Sequence, residues 1–267
     1  MDKLSGPGIT STANPRVKDI VALRKARERR SSGRFVVEGS REVGRCIAAG
    51  IQTEVVYICP ELGGAVSIPD EVERIEVSRT VFERMSHREG PDGVLAVAGG
   101  MSTELAALAL PQNPLVLLVV GIEKPGNLGT MIRSAAAAGA DAVIVASPVV
   151  DIVNPNVIRA SQGAVFSMPV GVDCDEAVMG FLAGSHINVF AADPAATRPY
   201  WDAPLEAAAA IVIGAEHAGI PAGWRAVAQP IAIPMGGRAG VDSLNASAAA
   251  AVLLFDAARR RSQQRPH

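Results

Sequence analysis

The C-terminal part of the chain alternates short apolar runs with helical stretches. The apolar runs are Leu115–Gly121, Ala142–Ala146, Ile187–Ala191, Ala210–Gly214 and Pro230–Ile233. The helical stretches are Asn127–Gly139, Asp175–Gly184, Pro221–Ala228 and Ser243–Arg261. Because strands that are buried on both faces are continuously apolar, this pattern predicts an α/β domain over residues 114–267, with a parallel sheet flanked by helices. Ligands of such sheets bind beyond the carboxyl ends of the strands, so the strand-to-helix loops should hold the functional residues.

The first hundred residues follow a looser pattern. Val17–Arg30 places apolar residues at helical spacing among basic ones and predicts a single amphipathic helix. Short strands are predicted at Phe35–Val37, Val55–Ile58 and Val94–Ala98, with a helix over Arg41–Ala49. We therefore expect a small α/β domain over residues 1–100. The glycines and prolines around residues 101–113 predict a linker.

The composition, 49% hydrophobic and 19% charged residues, is that of a globular protein. The apolar runs are far shorter than the roughly 20 residues that a membrane-spanning helix needs, so we expect no membrane segment. The N-terminus lacks the apolar core of a secretory leader, and the three cysteines are far apart in sequence. Both features predict a cytoplasmic protein with reduced thiols. The four histidines are scattered and no cysteine pair is present, so no metal site is expected.

The net charge of −2 conceals a gradient along the chain. Residues 1–50 contain eleven Lys and Arg against five Asp and Glu, a balance of +6, so the remainder carries −8. A basic segment on an otherwise acidic chain indicates a polyanionic partner.

The loop Glu123–Arg133 follows the first apolar run of the C-terminal domain. We expect Asn127 to cap the following helix and Arg133 to lie about two turns along it. The glycines form only G-x-x-G, with no Gly-Lys-Ser/Thr, so neither a Rossmann site nor a P-loop is predicted.

Two further loops follow predicted strands. In Ile211–Pro221, Gly214 ends a strand and allows close approach of a ligand, and Glu216 can accept hydrogen bonds. In Ile233–Ser247, Ser243 is the expected N-cap of the last helix. Each loop alone is also compatible with an ordinary surface turn. Three such loops at strand ends favour a functional site.

The same loops resemble the three signature motifs of the SpoU/TrmH RNA ribose 2′-O-methyltransferases, within the SPOUT superfamily. The matching residues are Asn127-x-Gly129-x-x-x-Arg133, Gly214-x-Glu216-x-x-Gly219, Ile233-Pro234-Met235 and Ser243-Leu244-Asn245-x-Ser247. Asn154–Pro169 resembles the segment between the family's motifs, and Asn14–Gly39 is similar to the L30-like substrate-binding domain of bacterial members. The resemblance extends from about Asn14 to Arg261.

This resemblance implies a C-terminal trefoil knot that forms the S-adenosylmethionine pocket, and a homodimer with the active site near its interface. The residues that match the family's cofactor contacts are Gly214, Ile233, Met235 and Leu244. Those that match its catalytic positions are Arg133, Asn127, Glu216, Ser243 and Asn245. A guanidinium with a pKa above about 12 is a poor base, so we expect Arg133 to bind a phosphate beside the target ribose.

The implied substrate is RNA, and the L30-like domain favours 23S ribosomal RNA. A tRNA 2′-O-methyltransferase and a catalytically silent RNA-binding or ribosome-assembly protein remain alternatives. The expected RNA contacts are basic residues of the N-terminal segment, namely Arg16, Lys18, Arg24, Arg30 and Arg34. The stretch GGRAGVD between Met235 and Ser243 is longer than the family pattern, and Ala246 replaces the usual valine.

Overall fold

The computed structural model describes residues 8–236 and 243–264. The chain forms two compact units, which we describe separately. The first unit comprises the chain up to Met101 together with Asp151–Ser167, and the second comprises Ser102–Val150 together with Met168 onward. Asp151–Ser167 therefore folds with the first unit, although it lies inside the range that the sequence assigns to the C-terminal domain.

Helices and strands are numbered in chain order. The strands are β1 Arg34–Glu38, β2 Gln52–Ile58, β3 Glu73–Glu76, β4 Val94–Gly99, β5 Leu115–Val120, β6 Ala142–Ala146, β7 Val170–Asp173, β8 Asn188–Ala192, β9 Ala209–Ile213 and β10 Gln229–Ile231. The helices are α1 Pro15–Ala22, α2 Ala26–Ser32, α3 Ser40–Ala48, α4 Arg79–Met85, α5 Pro125–Ala138, α6 Pro155–Ala160, α7 Asp175–Gly184, α8 Ala222–Val227 and α9 Ala246–Gln264.

The first unit contains a four-stranded mixed sheet in the order β1-β4-β2-β3. β4 is antiparallel to both of its neighbours, and β2 and β3 are parallel. β3 and α4 were not predicted. In β3 only Ile75 is buried, because this strand lies at the sheet edge and its sequence, ERIE, carries three charged residues. The predicted small α/β domain is nevertheless confirmed.

The single helix predicted over Val17–Arg30 is wrong, because the structure breaks it into α1 and α2. The buried guanidinium of Arg29 donates from Nη1 to the carbonyls of Leu23 and Arg24, at 2.9 and 2.8 Å. These bonds satisfy the two carbonyls in the break, which a continuous helix would have bonded along its own axis. The interruption therefore depends on a side chain that folds back onto the backbone.

The second unit contains a six-stranded sheet in the order β10-β8-β9-β5-β6-β7, with every pairing parallel. All residues of β5, β6 and β9 are buried, which explains their continuous apolar runs. The predicted parallel sheet is confirmed. β7 was missed because it is a four-residue edge strand that ends in an aspartate. The trefoil knot stays a prediction.

Residues 102–113, which fall in the predicted linker, belong to the second unit. Leu105 is buried in its core, and Leu108 and Leu110 pack against that core. The carbonyl of Thr103 accepts a hydrogen bond of 2.8 Å from the backbone of Val172. This stretch therefore forms part of the folded unit beside β7.

Neither described range contains a helix that is long and apolar enough to cross a membrane. Among the same residues, no group of three or more His, Cys, Asp and Glu side chains comes together as a metal site would require. The three cysteines are free, with Cys46 and Cys59 buried and Cys174 exposed. Burial raises the pKa of the Cys46 thiol to about 11. That thiol is therefore protonated at neutral pH, as expected of a structural cysteine.

Candidate active site

A cavity of about 450 Å³ lies in the second unit, beyond the carboxyl ends of β8, β9 and β10. Its volume falls within the roughly 300–1,000 Å³ that is usual for small-molecule sites. Its lining combines apolar side chains with a few polar groups; the residues are Ala192, Asp193, Pro194, Ile213, Gly214, Ala215, Glu216, His217, Gly219, Ile220, Ile231, Ile233, Met235, Ser243, Leu244, Asn245, Ala246 and Ala249. The sheet thus places a ligand site where the topology predicts one.

All four residues that resemble the family's cofactor contacts line this cavity. Ile233 and Met235 follow β10, and Leu244 precedes α9. Gly214 follows β9 directly. A Cβ atom on Gly214 would lie 2.4 Å from the carbonyl oxygen of Gly219, which no side chain tolerates. Glycine is therefore required here to close the tight turn at the cavity wall.

The polar residues of the site meet across the three loops. The Asn127 side-chain amide donates a short hydrogen bond to Oε1 of Glu216. Lys124 Nζ lies 3.5 Å from the same oxygen. Nδ2 of Asn245 is 3.5 Å from Oδ1 of Asn127, at the limit of a hydrogen bond. Glu216 is thus held between two residues of the α5 start, and Asn127 links the first motif to the other two.

Two predicted helix caps are wrong. α5 begins at Pro125, with Lys124 in the cap position, so Asn127 lies inside the first turn. Proline favours the first helical position because its ring fixes φ and it has no N–H to leave unsatisfied. The side chain of Asn127 is therefore available to Glu216.

The last helix begins at Ala246, and its cap is Asn245 instead of Ser243. Oδ1 of Asn245 accepts hydrogen bonds from the backbone N–H of Ser247 at 2.9 Å and from its hydroxyl at 2.6 Å. Ser243 lies upstream of the helix and lines the cavity. Residues 237–242, which include Arg238 and most of the long GGRAGVD stretch, lie outside the described residues.

Arg133 is the one residue of the predicted catalytic set that the structure keeps apart. It lies on the exposed side of α5 and does not line the cavity. Its side chain makes no hydrogen bond or ion pair with any part of the chain that the structure describes. The guanidinium is therefore available to a partner or a substrate.

Sequence reasoning missed the part of the cavity that follows β8. Asp193 lies there, with Oδ1 accepting a hydrogen bond of 2.9 Å from the backbone of Ala195 and Oδ2 3.9 Å from Arg225. The available signal was its position directly after an apolar run, as for Gly214. No motif marked it.

Three of the five expected RNA contacts are engaged within the first unit. Nη1 of Arg16 lies 2.9 Å from both carboxylate oxygens of Glu73. Arg34 bonds Asp19 and Glu54, each at 2.9 Å.

Arg24, the third, donates to three successive backbone carbonyls in residues 84–86. Lys18 and Arg30 are exposed, and neither has a side-chain partner among the described residues. The basic segment is therefore only partly available to a polyanion.

Comparison with known proteins shows which family the chain belongs to. Residues 114–255 match the SpoU rRNA Methylase family, and residues 14–96 match the MRM3-like substrate binding domain. The chain belongs to the SpoU rRNA methylase family. The 23S rRNA (guanosine(2553)-2'-O)-methyltransferase RlmP of Bacillus subtilis is 30% identical over 92% of this chain and 97% of its own.

Solved structures of such enzymes share the fold along at least 95% of the chain. A crystal structure of an RNA 2'-O ribose methyltransferase is 39% identical, with a TM-score of 0.82, and covers 96% of this chain and 100% of its own. The AdoMet-bound rRNA methyltransferase from Sinorhizobium meliloti is 28% identical, with a TM-score of 0.86, over 95% and 98%. This SpoU protein is an RNA 2′-O-methyltransferase, and S-adenosylmethionine is its cofactor. The cavity suits that cofactor, since its apolar walls can enclose the adenine and its polar rim can bind the ribose and the amino acid.

Proposed function

We propose that this SpoU methyltransferase modifies the ribose 2′-hydroxyl of a nucleotide in 23S ribosomal RNA. The observation that carries the proposal is the match with RlmP, which extends over more than nine-tenths of both chains and so includes the first unit. The match to an MRM3-like substrate binding domain supports the same conclusion. A bacterial ribosomal substrate agrees with the cytoplasmic location predicted from the sequence, and cell fractionation would test that location.

We propose that the backbone around Gly214, Ile233 and Leu244 binds the cofactor and that Met235 helps to enclose it. The lining of the cavity supports this assignment. S-adenosylmethionine supplies a methyl group on a sulfonium, which is a good leaving group. The protein then has to align the ribose hydroxyl with that methyl and assist loss of the hydroxyl proton.

Arg133 is assigned to the phosphate beside the target ribose. Its exposed guanidinium can bind a phosphate with two parallel hydrogen bonds and stabilise negative charge on the reacting oxygen. We assign positioning roles to Asn127, Glu216, Asn245 and Ser243. The contacts among the first three support this assignment, because they couple the α5 start to the cavity rim.

The helices α5 and α9 pack against each other. We propose that a second copy of the chain covers the outer faces of both helices. Along α9, Ala248, Val252 and Phe255 form an exposed apolar stripe, and Phe255 is 51% exposed. The exposed side of α5 contains Arg133. Burial of this surface in a homodimer would bring Arg133 to the interface, close to the active sites that the two copies share. Sedimentation of the purified enzyme tests this proposal, and a monomer at micromolar concentration would contradict it.

In the first unit, Lys18 and Arg30 are proposed to contact RNA phosphates, since both are exposed. Arg16, Arg24 and Arg34 have internal partners, so their contribution to RNA binding would require those bonds to be shared or exchanged.

Mapping of 2′-O-methyl groups in cells with and without the gene tests the substrate. We expect one position in 23S rRNA to lose its methyl group in the deletion strain while transfer RNA is unchanged. Loss of a methyl group from transfer RNA alone would replace the ribosomal proposal with the tRNA alternative.

Arg133→Ala tests the catalytic assignment. Removal of a charged group that acts on the reacting oxygen should slow methyl transfer by about 100-fold or more, with S-adenosylmethionine affinity retained. Calorimetry and single-turnover methylation measure the two quantities. Arg133→Lys is the matched variant and should recover part of the rate, because it keeps the charge without the planar donor geometry. Wild-type turnover in Arg133→Ala would refute the assigned role.

A further inference from the structure

On the surface of the first unit, a buried carboxylate holds two arginines. The side chain of Glu42, in α3, is only 3% exposed. Its Oε1 accepts hydrogen bonds from Nε and Nη2 of Arg41, at 3.1 and 2.7 Å. Its Oε2 lies 4.0 Å from Nη1 of Arg88. The Arg41 and Arg88 side chains are 52% and 28% exposed, so the acid is inside and both guanidinium groups reach solvent.

Two glycines make room for this arrangement. Gly39 has a φ of 109°, and a Cβ atom there would lie 2.4 Å from both Nη1 of Arg88 and Oε2 of Glu42. Gly163 has a φ of 80°, and its Cβ would lie 3.2 Å from the Arg45 side chain and 3.4 Å from Cα of Glu42. Both positions combine a left-handed backbone with close packing against the ionic groups. The backbone is therefore shaped around these side chains.

Arg45 adds a third guanidinium one helical turn after Arg41. Residues four apart in a helix share a face. Nη1 of Arg45 donates a hydrogen bond of 2.7 Å to the carbonyl of Gln162. We call Arg41, Arg45 and Arg88 the α3 arginine cluster.

The loop that carries Arg88 is anchored at both ends. Oε2 of buried Glu38 accepts a 2.9 Å hydrogen bond from the backbone N–H of His87. Asp92 accepts one of 2.7 Å from the backbone N–H of Ser40, at the start of α3. These bonds fix Arg88 relative to the α3 helix.

The α3 arginine cluster differs from the other ion pairs of the first unit. Arg29 and Asp151 are both largely buried, with side chains 2% and 15% exposed, and so hold the fold together internally. Arg79 and Glu83 are both exposed, at 59% and 51%, and such pairs contribute little to stability. Among these three pairs, only Arg41 and Glu42 combine a buried acid with an exposed base.

This asymmetry leaves hydrogen-bond donors free in a fixed orientation. Arg41 uses two of its five N–H groups on Glu42, so the others remain available. A guanidinium matches the geometry of a phosphate and can bind it through two parallel N–H groups. Because Glu42 already restricts the side chain, less conformational entropy is lost when a phosphate binds.

We propose that the α3 arginine cluster is the main phosphate-binding surface of the first unit and binds the sugar-phosphate backbone of the RNA substrate. The proposal requires an RNA substrate, which family membership supplies, and does not depend on the choice of 23S rRNA. It shifts the main RNA contact from the N-terminal segment to α3 and the loop that contains Arg88. Arg16 and Arg34 are bonded to partly exposed acids and Arg24 to backbone carbonyls, whereas the acid that holds Arg41 is buried.

The double substitution Arg41→Gln with Glu42→Gln tests the proposal in the full-length enzyme. It removes one guanidinium and one carboxylate together, so the net charge is unchanged and no unpaired carboxylate is left buried. Arg79→Gln with Glu83→Gln is the matched control, because it makes the same chemical change at the exposed pair in α4. A third protein adds Arg88→Gln to the first pair.

The probe is an unmethylated in vitro transcript of bacterial 23S rRNA, and the dissociation constant is measured over a series of salt concentrations. We expect the first double variant to bind about tenfold more weakly than wild type, with a salt slope reduced by about 0.7–0.9 for each lost phosphate contact. Adding Arg88→Gln should weaken binding and reduce the slope further. The control should stay within about twofold of wild type, as expected for an exposed pair.

Cofactor affinity, measured by calorimetry, should be the same in all these proteins. Equal RNA affinity and salt slope in the Arg41/Glu42 variant and the control would overturn the proposal. If wild type binds the transcript without methylating it, the choice of 23S rRNA fails and the test of the arginines still stands.

Should the double variant fail to fold, as judged by circular dichroism, Arg41→Lys takes its place. Lysine keeps the ion pair with Glu42 but offers no planar fork, so binding should weaken about threefold with the salt slope retained. Unchanged affinity in Arg41→Lys would then overturn the proposal.

Discussion

In the first unit, charged side chains lie inside the fold, whereas the second unit keeps its interior apolar. The buried charged and serine residues of the described chain are Arg29, Glu38, Glu42, Ser86 and Ser161, and all five belong to the first unit. The core of the second unit, built around β5, β6 and β9, is formed by apolar side chains. Its polar groups lie at the strand ends around the cavity and along α9, where Arg260 and Asp256 form an ion pair with side chains 15% and 14% exposed.

The difference reflects what each unit has to hold in place. In the first unit, Glu38, Glu42 and Arg29 bond to loops and to exposed guanidinium groups, so buried charges fix the shape of a surface. In the second unit, a rigid apolar sheet fixes the strand ends, and short loops such as Gly214–Gly219 carry the functional groups. Buried charges are costly unless they are paired, so the first unit depends on each partner being present.

The largest effect is expected from removing a buried charge of the first unit. Arg29→Met leaves Asp151 and the carbonyls of Leu23 and Arg24 without their donor. We expect the free energy of unfolding to fall by about 3–5 kcal/mol, the usual cost of breaking a buried ion pair. Urea denaturation followed by circular dichroism measures it. Arg27→Met, at an exposed position of the same helix, is the control and should change stability by less than about 0.5 kcal/mol.

If Arg29→Met were as stable as Arg27→Met, the buried charges of the first unit would not support its fold. The contrast between the two units would then be one of composition only.

In the second unit, the largest effect is expected at the cavity wall. Gly214→Ala places a Cβ atom 2.4 Å from the Gly219 carbonyl, so the turn must shift. We expect S-adenosylmethionine to bind about 100-fold more weakly, the equivalent of about two hydrogen bonds lost when the backbone of the turn shifts. Calorimetry measures it. Gly180→Ala in α7, where a Cβ meets nothing within 4 Å, should keep wild-type affinity.

Cofactor binding that survives Gly214→Ala would mean that the turn adapts easily. The apolar sheet would then not be what fixes the site.

The contrast between the units also explains how much of the fold the sequence could predict. The five apolar runs of the second unit correspond to β5, β6, β8, β9 and β10. In β5, β6 and β9, burial on both faces leaves a local signal. β3 and β7 were missed because short edge strands tolerate charged residues and lack that signal. The break between α1 and α2 depends on Arg29, whose bonds to carbonyls are not visible in the hydrophobic pattern.

The site was predictable where residues are close in sequence and less so where distant segments meet. Motif resemblance identified Gly214, Ile233, Met235 and Leu244, and all four line one cavity. The cap positions were wrong because Pro125 starts α5 one residue after Lys124, and because Asn245 accepts the capping hydrogen bond of α9. Asp193 carried no motif. The family's roles for these residues are still predictions, and the exposed position of Arg133 could not be read from its spacing.

A smaller effect is expected from the polar link at the cavity rim. Asn127→Ala removes the hydrogen bond that holds Glu216 and the contact with Asn245. We expect single-turnover methylation to slow about tenfold, the equivalent of one charge-assisted hydrogen bond. The free energy of unfolding should change little, because these groups lie on the rim and not in the core. Asn188 is the first residue of β8, at the end opposite the cavity, and its side-chain amide donates to the carbonyl of Ala208. Asn188→Ala is therefore the control. Equal methylation rates for the two variants would show that the Asn127 side chain does not contribute to methyl transfer.

The smallest effect concerns the buried thiols, which also lie in the first unit. Burial raises the pKa of Cys46 from 9.0 to about 11, so the folded state disfavours the thiolate. Below pH 9 both states carry the protonated thiol. Between pH 9 and about 11 only the unfolded state ionises, so stability contributed by the protonated form is lost as pH rises.

Wild type should therefore lose about 1–2 kcal/mol of unfolding free energy relative to Cys46→Ala between pH 8 and pH 11. Urea midpoints at several pH values measure the gap between the two proteins. Val43→Ala truncates a buried side chain of the same helix, and this side chain does not titrate. The difference in unfolding free energy between Val43→Ala and wild type should therefore stay constant over this pH range. A constant gap for Cys46→Ala as well would show that water reaches the thiol. The interior of the first unit would then be more open than its buried charges indicate.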